Sequence, residues 1–209
     1  MIWLYISVGV VVMVTLALSL RAAIEEPPFR LLEKVGDIEF RAYGIRLVAE
    51  TYADGSEEEA REAGFKVLAE FIFGKNAQKS ARSAMGLGTS MTKPSEGIAM
   101  TSPVEQALIS PARWRIRFYM PAKYSASSLP TPLNPDVTVL EAPGETMAVL
   151  RFSDSRDAAS VLKRTTLLLK NLASTDWVAT GTPISSFYDP PWTLPFLRRN
   201  EVAVPVRKR

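Results

Sequence analysis

With 209 residues and 47% hydrophobic content the chain is long enough for one buried core or at most two, and its +3 charge spreads 25 basic residues among 22 acidic ones. That scatter, with no cluster on one predicted face, gives no indication of nucleic-acid binding. The absence of cysteine and histidine excludes disulfides, thiolate or imidazole metal ligands, and nucleophile–base pairs built on either residue.

Residues 2–20 carry no charged side chain, and as a helix they would be about 30 Å long, the thickness of a bilayer hydrocarbon core. Trp3 and Tyr5 suit a headgroup interface. We expect a transmembrane anchor over residues 1–22. A signal peptide ending near Ala17 or Ser19 is the alternative, against which stands the lack of a preceding cation. Residues 23–28, with Pro27 and Pro28, read as a linker, and a domain over 29–206 follows. A lone anchor of this kind places that domain on the periplasmic or extracytoplasmic side.

Phe29 to Tyr52 alternates around a turn at Gly36-Asp37 and predicts two strands of a hairpin. Ser56 and Glu59 form a capping-box pair that opens a helix running to about Phe73, where Gly74 stops it. Ala60, Gly64, Val67, Leu68 and Phe71 share its core face. Arg61 falls between Leu68 and Ile72 on the helical wheel, with Phe65 just beyond. Either its stem covers apolar surface while its head reaches water, or it is a cation set beside an apolar surface to meet an amphipathic anion. Lys66 lies on the polar side.

From Lys75 to Glu96 the composition is poor in apolar residues, which predicts a long loop serving as a lid or lying disordered. Met85 and Met91 in it either dock the loop or offer thioethers to an iron. Ile98–Val104, IAMTSPV, reads as a strand with one buried face, Met100 included, and with Pro103 at an edge or bulge. Arg113 to Met120 alternates Trp114, Ile116, Phe118 and Met120 against Arg113, Arg115, Arg117 and Tyr119, a strand with one apolar face and one basic, solvated face. Pro121–Pro135 is a connection. Val137–Glu141 and Thr146–Phe152 predict two strands turned at Pro143-Gly144. A helix from about Asp157 to Ala173 follows, with Val161, Leu162, Thr165, Leu168, Leu169 and Leu172 on one face.

VAETYADGS at Val48–Ser56 and AVLRFSDS at Ala148–Ser155 precede the two helices in corresponding places. The fold expected is therefore one α+β domain, a distorted antiparallel barrel or curved sheet of about eight strands with two helices, built from two strand-helix-strand-strand repeats. The last stretch holds Asp189-Pro190-Pro191 and Pro195, then an alternating Val202, Val204, Val206 and a solvated basic end. Tyr188, Trp192 and Phe196 either line an apolar pocket or belong to the core.

IAMTSPV together with YDPPWTLPFLRRNEV at Tyr188–Val202 resembles the paired signature of the SOUL haem-binding protein family. FRLLEKVGDIEFRAYGIRLVAET at Phe29–Thr51 and MPAKYSASSLPTPLNPDVTVLEAP at Met120–Pro143 agree with it. The resemblance implies non-covalent haem or another tetrapyrrole, held in a shallow apolar site for carriage, buffering or sensing. The candidate haem-binding residues are Arg61, Phe65, Leu68, Met85, Met91, Met100, Tyr188 and Trp192. Without an imidazole, binding would rest on apolar burial and propionate pairing, without a strong axial protein ligand. Two other classes stand beside this one: a small-molecule-binding or interaction adaptor without haem, and a hydrolase or tetrapyrrole-modifying enzyme, for which Glu105, Asp189 and Glu201 are the available acid/base groups.

Overall fold

The computed structural model describes residues 24–78 and 95–209. The predicted anchor over 1–22 and the loop methionines Met85 and Met91 lie outside the described residues. Among the described residues no helix is long and apolar enough to cross a membrane.

The strands are β1 (Phe29–Val35), β2 (Ile38–Tyr43), β3 (Arg46–Asp54), β4 (Asn76–Ala77), β5 (Val104–Ser110), β6 (Arg113–Tyr119), β7 (Thr131–Pro132), β8 (Thr138–Ala142), β9 (Glu145–Phe152), β10 (Trp177–Ala179), β11 (Ile184–Phe187) and β12 (Asn200–Lys208). The helices are α1 (Glu57–Ile72) and α2 (Ala158–Leu172). Ten strands form one antiparallel sheet in the order β1-β2-β9-β12-β11-β5-β6-β3-β8, with β10 on β12, and β4 pairs with β7 separately. The fold is thus α+β, a curled half-barrel with two helices.

Each strand-helix-strand-strand repeat is visible in this order. The first is β3, α1, β5, β6 and the second is β9, α2, β11, β12, and they meet where Ile184–Phe187 of β11 pairs with Val104–Ala107 of β5. The strand preceding each repeat crosses to the other: β2 pairs with β9, and β8 with β3. This exchange curls the sheet, because the turns β2–β3 and β8–β9 must then sit side by side. A Cβ on Gly144 would meet the Tyr43 carbonyl oxygen at 3.0 Å, so only glycine lets the two turns approach so closely. The expected turn at Pro143-Gly144 is present, and the two strands it joins pair with other strands rather than with each other. The first segment makes three strands rather than two; Gly36, at φ +57°, turns β1 into β2 as expected.

The helices fit the sequence closely. Ser56 Oγ accepts from the Glu59 N–H while Glu59 reaches back to the Ser56 N–H, closing the capping box, and Asp157 caps α2 through Ser160. Ala60, Gly64, Leu68 and Phe71 of α1 are buried with Ile116 and Phe118 of β6. Gly64 permits that approach, since a Cβ there would lie 2.6 Å from the Ile116 side chain. In α2, Val161, Leu168 and Leu172 are buried with Phe40, Trp177 and Val202, but Leu162 and Leu169 are exposed.

One expectation changes here. IAMTSPV is not a continuous strand: Ile98 N–H donates to the Ile72 carbonyl at the end of α1 and Ser102 N–H to the Glu25 carbonyl, Thr101 makes an isolated bridge with Glu25, and the ladder of β5 starts only at Val104. Of the expected 75–96 loop, residues 79–94 lie outside the described residues; the Asn76 side chain links its two described ends, donating to the Phe71 and Glu96 carbonyls and accepting from the Glu96 N–H.

Candidate functional site

Both helices pack on one face of the sheet, yet the other face is buried too. Val48, Tyr119 and Ala142 form one cluster on it, and Met147, Val149, Ile184 and Ala203 another. Among the described residues no helix covers them; the sheet itself curls around them. That enclosure overturns the expectation of a solvated basic face on β6: Arg115 and Arg117 point into the curl with side chains only 18% and 15% exposed.

Enclosed cations need partners, and the interior supplies a repeating unit of one carboxylate, two guanidiniums and one phenol. Glu50 faces Arg117 Nε at 2.6 Å and Arg115 Nε at 3.9 Å and accepts from Tyr52 Oη. Glu105 faces Arg115 at 3.3 Å and Arg117 at 3.5 Å and accepts from Tyr119 Oη at 2.5 Å. Glu201 receives Arg41 at 2.9 and 3.2 Å, Arg199 at 3.2 Å and Tyr188 Oη at 2.8 Å.

Burial alone would raise the Glu201 carboxyl, but Arg41, Arg199 and Tyr188 outweigh it and hold the group below the usual carboxylate range. Burial, reinforced by the adjacent carboxylate charge, pushes the Tyr119 and Tyr188 phenols far above theirs. Each of these carboxylates is thus met by two guanidiniums and one phenol, which ties the strands that carry them in register.

The interior is also nearly full. The cavity left among Tyr43, Glu105, Tyr119, Met147, Tyr188 and Glu201 measures about 30 Å³, the share of a single water. A wider cavity of about 260 Å³ opens at the barrel mouth beside Arg46 and Met120. Neither of these two cavities reaches the roughly 300–1,000 Å³ of ordinary ligand pockets.

On the outer face a second set of cations converges. Arg61 of α1 lies over the Phe187 ring at 4.5 Å and donates to Gln106 Oε1 and to the Arg156 carbonyl, and its guanidinium is 3.8 Å from Glu57. Arg156, just before the α2 cap, donates to the Asp189 carbonyl, while Arg198 donates to the carbonyls of Pro191 and Thr193. Arg156 and Arg198 thus direct these donors to main-chain carbonyls rather than carboxylates. Burial, then repulsion from Arg61 and Arg198, lowers the affinity of Arg156 for its proton. Directly above lies the 188–199 loop, with Trp192 82% exposed and Phe196 70% exposed.

Of the residues singled out from sequence, Arg61, Tyr188 and Trp192 belong to this loop and its base, and Phe65, 41% exposed, stands one turn along α1 from Arg61 and packs edge-on against Phe118. Arg61 does not reach freely into water: its side chain is 13% exposed because Phe187, Gln106 and the Arg156 carbonyl enclose it. Leu68 is wholly buried core, and Met100 packs against the same cluster. Tyr188 has its hydroxyl turned inward to Glu201 and its ring under Arg199 at 3.7 Å. Arg156 was missed. One signal was available: aligning Asp54 with Asp154, the second repeat holds one extra residue before its helix cap, and Arg156 stands beside that insertion.

The arrangement suits a flat amphipathic anion: cations at a half-buried base, exposed aromatic surface above, and no histidine or cysteine to hold a metal. Among solved structures the fold resembles the EcmrR C-terminal domain, at TM-score 0.58 and 10% identity, covering 82% of this chain and 98% of that one. It also resembles a cryo-EM structure of an EcmrR–DNA complex, at TM-score 0.54 and 10% identity over 82% of this chain and 57% of that one. A structure described as a hydrolase from Listeria innocua matches at TM-score 0.51 and 10% identity, over 82% and 92%. At such identity these likenesses speak to fold alone. A search of curated protein sequences gave no match. The family model described as SOUL heme-binding protein matches residues 24–205, and the chain accordingly belongs to the SOUL heme-binding family.

Proposed function

We propose that this protein binds haem or a related tetrapyrrole on its outer surface, with the carboxylates of the ligand at Arg61, Arg156 and Arg198 and its ring face against Trp192 and Phe196. The observation that supports this best is the coincidence of three converging arginines with an exposed aromatic loop, in a chain whose family binds haem. Haem brings the iron; the chain's own part is to bury a ring face and neutralise propionates, since Met100 and Leu68 are taken up by the core. Carriage, buffering or sensing follows as the role, because the interior carboxylates are all engaged in ion pairs. Membrane attachment through residues 2–20, with the domain on the extracytoplasmic side, belongs to the same proposal and rests on the uncharged apolar run.

Titration of the full chain with hemin and with iron-free protoporphyrin tests the reading. The two should bind within about tenfold of each other, a difference of about 1.4 kcal/mol. Arg156→Gln and Trp192→Ala should each weaken both ligands, the first by about tenfold or more if one charge-assisted contact is lost. Circular dichroism should stay native. Undiminished binding in both variants would exclude this surface, and hemin binding far more tightly than the iron-free ring would require a protein ligand to the metal.

A further inference from the structure

The chain enters the domain at the barrel mouth, and it is fastened there. The Glu25 carbonyl accepts from Ser102 N–H, its carboxylate accepts from Ala122 N–H at 2.6 Å, and its main chain bridges Thr101. Both Glu26 carboxylate oxygens accept from Arg199 at 2.9 Å. The uncharged apolar run ends at Leu20, five positions before Glu25. Five residues reach at most about 18 Å when fully extended, and headgroups take up about 5–8 Å of that on either side of a bilayer. A domain of this length is about 40 Å across. On the membrane attachment proposed above, on which this inference rests, the tether therefore brings the mouth to the headgroups and keeps the far end away from them.

What the mouth presents suits that position. Ile45, in the turn between β2 and β3, is 72% exposed, although turns ordinarily carry polar or flexible residues. It borders the mouth together with Glu25, Pro28 and Ala122. Ile24, the neighbour of Glu25 in sequence, is exposed as well. The turn at Pro143-Gly144, packed against Gly44, is exposed and like Gly44-Ile45 carries no charge. Lys123, next to Ala122, holds its ammonium 4.8 Å from the Tyr124 ring, a cation and an aromatic ring of the kinds that gather at membrane interfaces.

The charges at this rim balance. Glu26 is met by Arg199 and Glu145 by Arg46, which leaves Glu25 and Lys123, one of each sign. Such a rim has no preference for a strongly anionic surface. We propose that the rim of the barrel mouth docks on the bilayer that holds the chain, with Ile45 buried among the headgroups of zwitterionic phospholipids. Covering an isoleucine side chain favours the docked over the undocked domain by roughly tenfold or more. Because Arg199 ties the 188–199 loop to Glu26, docking also fixes the height of that loop above the membrane.

The chain has no cysteine, so a single introduced thiol takes a dye at one chosen place. A Cβ on Gly44 meets nothing within 4 Å, which makes Gly44→Cys a mild change beside Ile45. Leu162→Cys, on the exposed side of α2, is the comparison. Each full chain is labelled with nitrobenzoxadiazole and placed in phosphatidylcholine nanodiscs that carry nitroxides at the headgroup end of the acyl chains. The dye at Gly44→Cys should emit at shorter wavelength and be quenched by the nitroxides, and the dye at Leu162→Cys should do neither. Adding Ile45→Asp to Gly44→Cys should remove most of the quenching while circular dichroism stays native. Quenching no greater at Gly44→Cys than at Leu162→Cys, or quenching that survives Ile45→Asp, would overturn the docking. A shift to shorter wavelength without quenching would mean that protein rather than lipid covers the turn, and would overturn it too. Extraction of the chain from the bilayer by alkaline carbonate would remove the anchor and the docking together. A chain that resists extraction yet leaves the Gly44→Cys dye unquenched would fail the docking alone.

Discussion

Replacing Arg41 with methionine removes one partner of the most enclosed ion pair described, in which the side chains of Arg41 and Glu201 are 5% and 3% exposed. Breaking a buried pair from one side costs about 3–5 kcal/mol, because the remaining charge is left uncompensated. Here Arg199 and Tyr188 stay on Glu201, which places the loss near the lower limit, about 3 kcal/mol. The stacking of Arg41 over Phe29 at 4.4 Å adds to the loss, and the thioether retains part of the packing. For a chain of this size each kcal/mol moves the melting temperature by about 2–4 °C, so a fall of about 6–12 °C is expected. The pH dependence gives an independent check. Glu201 titrates lower in the folded chain than in the unfolded one, so its contribution is present above the ordinary glutamate value of about 4.3 and is lost as pH falls through the depressed folded value. Without Arg41 the depression shrinks, and acid unfolding should begin at higher pH. Thermal melts followed by circular dichroism across the acid range measure both effects, and adding Glu201→Gln should recover part of the loss. A loss below about 1 kcal/mol with an unmoved acid limb would refute the reasoning, since it would mean that the pair is open to water.

Gly64→Ala should destabilise despite the better helix propensity of alanine, because overpacking costs about 1–3 kcal/mol against a propensity gain of about 1 kcal/mol; Ile116→Val in the same chain should recover part of it, which urea unfolding would show. The phenols of Tyr43, Tyr119 and Tyr188 are raised by burial, so near-ultraviolet phenolate absorbance of the native chain should develop later than that of the chain in urea. The same shifts make stability full below about pH 10 and steadily lost above it, as unfolded tyrosines ionise first; coincident native and unfolded titration curves would contradict the burial of these rings.

What the sequence made legible was local and periodic. The capping box at Ser56 and Glu59, the α1 face from Ala60 to Phe71 and the alternation from Arg113 to Tyr119 all rest on neighbours within a few residues, and the structure has each of them. The environment of the second β6 face was not legible, because alternation reports that two faces differ and says nothing of what each meets. Arg115 and Arg117 are enclosed only because β2 and β8 exchange between the repeats, and no short-range signal marks such an exchange. IAMTSPV misled for a related reason: its buried residues alternate as a strand's do, while its N–H groups go to α1 and to Glu25. At the candidate site, the cation beside an apolar helix edge was visible at Arg61, but its enclosure by Phe187 and its tie to Arg156 join residues about a hundred positions apart.

The closed interior also bears on where binding can reside. One face of the sheet is covered by helices, the other is filled by its own ion pairs, and both are therefore spent on stability. On the function proposed above, ligand contact falls to what joins the strands, and two such connections are stiffened. In the 188–199 loop, prolines at 190, 191 and 195 fix the main chain, Thr193, Leu197 and Arg198 N–H groups close short turns, and Arg198 clamps two carbonyls. At the mouth, Pro27 and Pro28 do the same beside the Glu25 and Glu26 anchors. The main chain that carries exposed Trp192 and Phe196 is thereby fixed, so little of its ordering entropy is lost on contact. A floppy loop with the same residues would bury the same area and bind more weakly, which is why the prolines matter to this site as much as the aromatic rings they carry.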